Sequence, residues 1–95
     1  MGKTKSVMYE CMDNCVVCGS PYVEVHHIFR GVANRKVSDR YGYVMPLCEE
    51  HHRGQTGIHF NKVFDLHMKK LAQEHFESHF GEREDFRRAF GKSFL

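Results

Sequence analysis

Two histidine pairs carry the chemistry that this chain can do. His26-His27 closes an alternating run, and His51-His52 follows Cys48 inside Pro46-Leu47-Cys48-Glu49-Glu50. Ahead of both stands Cys15-Val16-Val17-Cys18-Gly19. Two thiolates with two residues between them can face one ion, and the glycine allows the tight turn that follows. Cys48 and His51 repeat that spacing. Zinc takes four N or S ligands tetrahedrally in structural sites, so Cys15, Cys18, Cys48 and His51 are expected to form a Cys₃His zinc site. Cys11 has poorer spacing and is read as a small buried apolar residue.

His52 is the next residue on the same short helix, about 100° further round, and is poorly placed to share that ion. Period two in a strand sends His26 and His27 to opposite sides, which suits two different jobs. A second metal held by His26 and His52, with His59 as third ligand, would leave open positions for water and a phosphate oxygen. His27 is then free to act as a neutral imidazole base. It would deprotonate a water for in-line attack on phosphorus. Metal-dependent phosphodiester hydrolysis is the expected reaction.

These groups need elements to position them. Tyr22 to Ile28 alternates as a strand. Residues 29–42, with Gly31, Asn34, Ser38, Asp39 and Gly42, read as a long polar functional loop. Tyr43-Val44-Met45 reads as a second strand stopped by Pro46. Leu47 to Arg53 opens a short helix with acids in its first turn. Asn61 is a plausible N-cap. Behind it Phe60, Phe64, Met68, Ala72, Phe76 and Phe80 step by four, with Val63 and Leu71 beside them. That stripe predicts a core-facing helix of about five turns ending at Gly81. A shorter helix is expected over 83–90, with Phe86 and Phe90 inward. His67, His75 and His79 are expected to be helix-surface or packing residues.

Ninety-five residues make one domain at most, and a chain this short buries only about two-thirds of its unfolded surface. Small domains often compensate with a metal. Residues 1–10 are read as a flexible lead-in and 11–95 as the domain. Met1 to Ser6 matches an N-myristoylation pattern, but a short basic tail is the better reading. No secretory or membrane-spanning run is evident, so reducing cytoplasm is expected and no membrane partner. The net charge is +2, from 14 basic and 12 acidic residues. Its distribution matters more. Arg30, Arg35, Lys36 and Arg40 face the single acid Asp39 over residues 30–40, beside the histidine pair, where phosphates would approach. DNA contacts are therefore expected from Arg30, Asn34, Arg35, Lys36, Arg40 and Arg53.

The order Cys-x₂-Cys, strand with His-His-Ile, then Leu-Cys-x₂-His-His resembles the HNH (His-Me finger, ββα-metal) endonucleases with a paired-knuckle zinc. His26-His27-Ile28-Phe29-Arg30-Gly31, Ser38-Asp39, Pro46-Leu47-Cys48, Gly57-Ile58-His59-Phe60 and Phe90-Gly91-Lys92-Ser93-Phe94 look like small phage and prophage members. They also resemble the catalytic domain of RecA-dependent recombination-enhancement nucleases. Most such chains have Cys where this one has His51, and many have Asp where it has His26. The resemblance implies a small α+β fold, a ββα-metal domain with C-terminal helices. It assigns His26 and His52 as ligands of a catalytic divalent metal and His27 as the base. Mg²⁺, Mn²⁺, Ni²⁺ and Zn²⁺ all fit that metal. The family's central Asn is matched by Asn34, with Ser38 and Asp39 as alternatives. The expected function is a DNA endonuclease that nicks or cuts with low sequence specificity, targeted by a partner such as a RecA-type recombinase filament. The competing expectation is a zinc-stabilised DNA-binding module without catalysis.

Overall fold

The computed structural model describes residues 5–95. The order is β1 (Val23–His27), α1 (Val32–Tyr41), β2 (Val44–Cys48), α2 (Glu49–His52), α3 (Lys62–His79) and α4 (Arg83–Phe90). This is the small α+β architecture expected from the sequence. The two strands pair antiparallel, with His26 opposite Met45 and His27 opposite Val44. β2 runs through Pro46 instead of stopping there. Val16 N–H donates to the Pro46 carbonyl at 3.1 Å. In a strand the carbonyl and nitrogen of one residue point to the same edge, so the missing proline N–H faces away from β1 and costs no ladder bond.

Residues 29–42 are not a loop. They hold α1, a ten-residue helix between Gly31 (φ 99°) and Gly42 (φ 79°). Gly, Asn, Ser and Asp suggested a loop because each favours turns. Here the two glycines only bracket the helix, each taking a backbone conformation that other residues rarely adopt. Between them Val37 and Tyr41, one turn apart, pack on the core and Ser38 is fully buried. Ser38 Oγ accepts from Phe29 N–H at 3.2 Å and donates to Phe29 O at 3.1 Å, tying α1 to the end of β1.

α3 begins as expected, with the Asn61 side chain accepting from Phe64 N–H at 3.0 Å. Its apolar stripe is buried only in the middle, at Met68, Ala72 and Phe76. Phe80, Leu71 and Val63 are exposed, as is Phe60 just ahead of the helix. A step of four residues overshoots one turn by about 40°, so the stripe drifts round the helix and its ends leave the core face. Gln73 is buried instead. It donates to Glu77 and to Ser93 Oγ, both at 2.9 Å, and accepts from Phe94 N–H at 2.7 Å. One amide thereby staples the C-terminal segment to α3.

α4 matches its expected span and is held by a capping box between Glu82 and Asp85. Phe86 and Phe90 close over Phe29, with ring centroids 5.4 and 4.2 Å away. Losing a buried phenylalanine of this kind costs about 3–5 kcal/mol.

Residues 1–4, and with them most of the N-myristoylation pattern, lie outside the described residues. Residues 5–10, expected as a flexible lead-in, lie against the domain. Val7 N–H donates to Gly42 O at 2.9 Å, a close approach that a Cβ on Gly42 would obstruct at 2.9 Å from Val7 Cγ1. Met8 and Tyr9 pack on the core. Cys11, expected to be buried, is exposed, with its sulfur near the Asn14 side chain. Among the described residues, no helix is long and apolar enough to cross a membrane.

Candidate metal centres

Both knuckles form where local backbone chemistry favours them. Gly19 N–H returns to Cys15 O at 2.8 Å, and Gly19 takes φ 79° to close that turn. Cys48 ends β2 as the N-cap of α2, which lifts His51 back towards the same point. The four ligand atoms of Cys15, Cys18, Cys48 and His51 lie within 4.8 Å of one another. The Cys18 and Cys48 sulfurs are 3.7 Å apart. His51 Nδ1 is 3.7 Å from the Cys15 sulfur and 3.2 Å from that of Cys48. A zinc tetrahedron with Zn–S of about 2.3 Å has S···S edges of about 3.8 Å. A disulfide needs about 2.05 Å, and all four cysteines are free. The donor set therefore fits zinc.

Electrostatics agree. Burial alone would raise the Cys15 thiol, but hydrogen bonds from the Cys48, Cys18 and Val17 backbone and the His51 ring outweigh it and bring it to about 6. At Cys18 a backbone bond from Ser20 favours the thiolate. Desolvation and the neighbouring Cys48 and Cys15 sulfurs overcome that bond and push the thiol up. Cations repay this crowding of sulfurs, which repel once ionised.

The second cluster is His26, His52 and His59, again within 4.8 Å. Ring centroids lie 5.1 Å apart for His26 and His52, 5.4 Å for His26 and His59, and 4.7 Å for His52 and His59. His26 is 1% exposed and its Nε2 has no hydrogen-bond partner. A buried ring nitrogen without a partner is costly unless something satisfies it. Burial, then the neighbouring His52, His59, Arg30 and His27, hold the His26 imidazole far below its ordinary range, at about 3. It stays neutral, as a ligand must. Three such rings on one side would leave room for further ligands, His59 offering its lone pair once Arg30 leaves Nδ1.

Gly57 explains how His59 returns across seven residues. A Cβ there would lie 2.8 Å from the backbone of Glu50 and His52. Only glycine lets the chain pack so closely on α2, after which Ile58 N–H and His59 N–H donate to His51 O and His52 O at 2.8 and 3.3 Å. Glu50 pins the same loop by accepting from Thr56 Oγ1 at 2.6 Å.

Two carboxylates orient these rings: Glu24, which the sequence reading did not single out, and Asp39, which it named only as an alternative to the central Asn. Glu24 Oε1 lies 2.7 Å from His52 Nδ1. An ionised carboxylate only accepts, so Nδ1 carries the proton and Nε2 keeps its lone pair. Arg53 donates to both Glu24 oxygens, from Nε to Oε1 at 3.0 Å and from Nη2 to Oε2 at 2.6 Å. Arg53 and then His52 hold the Glu24 carboxyl below its usual value. Period two along β1 puts Glu24 on the face of His26, and that signal could have found it. Asp39 Oδ1 lies 2.9 Å from His27 Nε2. Reading residues 29–42 as a loop concealed this pair.

His26, His27, His52 and His59 line one open hollow of about 440 Å³ with Val25, Arg30, Arg35 and Arg53. Arg30 donates to His59 Nδ1 and lies 3.9 Å from Asp65. Desolvation and Arg30 lower the His59 imidazole. The expected DNA contacts thus divide. Arg30, Arg35 and Arg53 border the histidines. Asn34 lines a neighbouring hollow, and Arg40 lines another with Phe76 and Phe80. Lys36 is exposed on α1. His67 and His79 are exposed, while His75 is half-buried and bonds Tyr43.

A family model described as "Putative HNHc nuclease" matches residues 2–81. That stretch includes both clusters and ends just ahead of α4. No curated protein matches the chain, and no solved structure does.

Proposed function

Because the chain belongs to the HNH nuclease family, we propose that the histidine hollow is its active site and that it hydrolyses DNA phosphodiesters with a divalent metal. The observation that carries this is the partnerless, buried Nε2 of His26, aimed among His52 and His59 beside a separately held His27. A module that only bound DNA would have no use for that arrangement. The Cys₃His cluster takes structural zinc in this reading.

His26, His52 and His59 would hold the catalytic cation, which supplies Lewis acidity for charge developing on the phosphate and the departing 3′-oxygen. Asp39 accepts from His27 Nε2–H, so the neutral ring carries its lone pair on Nδ1. That nitrogen takes a proton from water as the water oxygen bonds to phosphorus. The bond to the 3′-oxygen breaks, and that oxygen takes a proton from solvent. Arg35, and Arg30 once it leaves His59, hold phosphate oxygens in the hollow. Ser38 braces the end of β1 through Phe29, and Asn34 lines the neighbouring hollow, so this reading gives neither a part in the chemical step.

Phosphate contacts carry no sequence information, which supports low intrinsic specificity. Targeting by a recombinase filament, a phage setting and a reducing cytoplasm belong to the same proposal, the last because the zinc needs free thiolates. The test is nicking of supercoiled plasmid by protein stripped with a mild chelator and then supplied with Mg²⁺ or Mn²⁺, with and without a filament. Nicking should return with metal. Equal nicking before and after stripping would refute metal dependence.

A further inference from the structure

A second hollow of about 360 Å³ adjoins the histidine hollow and shares Arg30 with it. Phe29, Gly31, Asn34, Lys69 and Phe94 complete its wall. No nuclease step described above uses it. Its chemistry is that of an anion site with an aromatic side. Arg30 and Lys69 line it, and Lys92 Nζ stands 5.1 Å from the Phe94 ring centroid. Among the described residues, the acid that pairs with these cations is Asp65, 2.8 Å from Lys69 Nζ and 3.9 Å from Arg30. Two lining cations against one carboxylate, with Lys92 beside the Phe94 ring at its edge, leave the hollow positive. Asp65 also holds Lys69 and Arg30 on the same side.

The wall is built, not incidental. Gln73, buried at the centre of α3, holds Phe94 N–H at 2.7 Å and Ser93 Oγ at 2.9 Å. This fixes the C-terminal segment that carries Lys92 and Phe94. Gly31 leaves open space where a side chain would stand, so a ligand can approach the backbone there. Asn34 adds an amide able to donate or accept.

We propose that this hollow binds the phosphodiester next to the scissile one on the same DNA strand, with Lys69 and Asn34 as its contacts and Arg30 between the two phosphates. The proposal rests on the nuclease reading. Neighbouring phosphates of one strand recur every 3.4 Å or so along the duplex axis, so a single guanidinium shared by two hollows suits two consecutive charges. Lys69 is a positioning residue here. It touches substrate remote from the reacting atoms and sets which linkage enters the histidine hollow.

The test uses the full chain with its zinc, and variants Lys69→Gln and Asn34→Ala checked for unchanged zinc content and circular dichroism. Substrates are short oligonucleotides with one cleavable linkage, in which the adjacent linkage is either a phosphodiester or an uncharged methylphosphonate. The wild-type protein should lose several-fold in kcat/KM on the methylphosphonate. Lys69→Gln should raise KM several-fold on the ordinary substrate, keep kcat within about twofold, and show no further loss on the methylphosphonate. Its log–log salt slope for binding should fall by about one. Asn34→Ala should move in the same direction by less. Unchanged KM and slope in both variants, or an undiminished methylphosphonate penalty, would overturn the proposal. Binding is measured separately by fluorescence anisotropy without divalent metal. If the wild type fails to cleave but its binding still loses one unit of slope in Lys69→Gln, the nuclease reading fails and this phosphate contact stands.

Discussion

Glu24 and His52 meet at 2.7 Å, carboxylate oxygen to Nδ1, across β1 and α2. The bond selects the tautomer that leaves His52 Nε2 free, and it aims the ring at His26 and His59. Carboxylates in this position raise the basicity of ligating histidines and fix their orientation.

Glu24→Gln should therefore weaken metal binding at the histidine site. The metal concentration for half-maximal nicking should rise by about 10–100-fold, while zinc bound at the cysteines stays at one per chain. Metal titration of nicking beside atomic absorption reads both. An unchanged half-maximal concentration would remove Glu24 from the site.

Cys48→Ser should lose zinc and unfold the domain, whereas Cys11→Ser should do neither. Zinc binding in small knuckle domains is worth about 10–16 kcal/mol, comparable to or larger than the roughly 5–15 kcal/mol that holds a whole domain together. Cys11 is exposed and outside the cluster. Zinc stoichiometry and far-UV circular dichroism decide between the two sulfurs.

His27→Ala should lower kcat by about 10²–10⁴-fold with folding and zinc intact. Asp39→Ala should cost less, about tenfold, because Asp39 is 57% exposed and its bond to His27 is screened by water. The double variant should be no slower than His27→Ala alone, since Asp39 acts only through that ring. Additive losses would give Asp39 a separate job.

His75 offers a pH test away from both metal centres. Desolvation, then the stacked His79 ring 4.1 Å away, lowers its imidazole, and the Tyr43 hydroxyl donates to its Nδ1 at 2.9 Å. Burial raises the Tyr43 hydroxyl, so it keeps its proton to donate. With the folded value depressed, the unfolded chain binds more protons below about pH 6.5. Stability is full above that value and falls as pH drops. The melting temperature of His75→Gln should decline less between pH 7 and pH 5 than that of the wild type. Parallel declines would contradict this.

Much of this was legible in the residues. Spacing alone separated His51 from His52, because the helix period fixes where neighbours point; His26 and His27, expected on opposite sides of the strand, both line one hollow, and only His26 joins the histidine cluster. Asn61 and Gly81 framed α3, and α4 was read to its ends. Helix α1 was hidden because its polar residues look like a loop until Val37, Ser38 and Tyr41 have a core to pack on. The stripe on α3 was overextended because a four-residue step drifts. Return of His59 depended on Gly57 packing against the backbone of α2, a contact no local pattern announces. Glu24 and Asp39 act across elements, so they became visible only once the strands and α1 were in register.

The division of the second histidine pair is tested most directly by metal-dependent plasmid nicking of His52→Ala, with zinc content measured on the same sample. His52 belongs to the open histidine site and His51 to the cysteines, so the variant should keep one zinc per chain, stay folded and lose nicking. Wild-type nicking by His52→Ala, or loss of its zinc, would contradict the account.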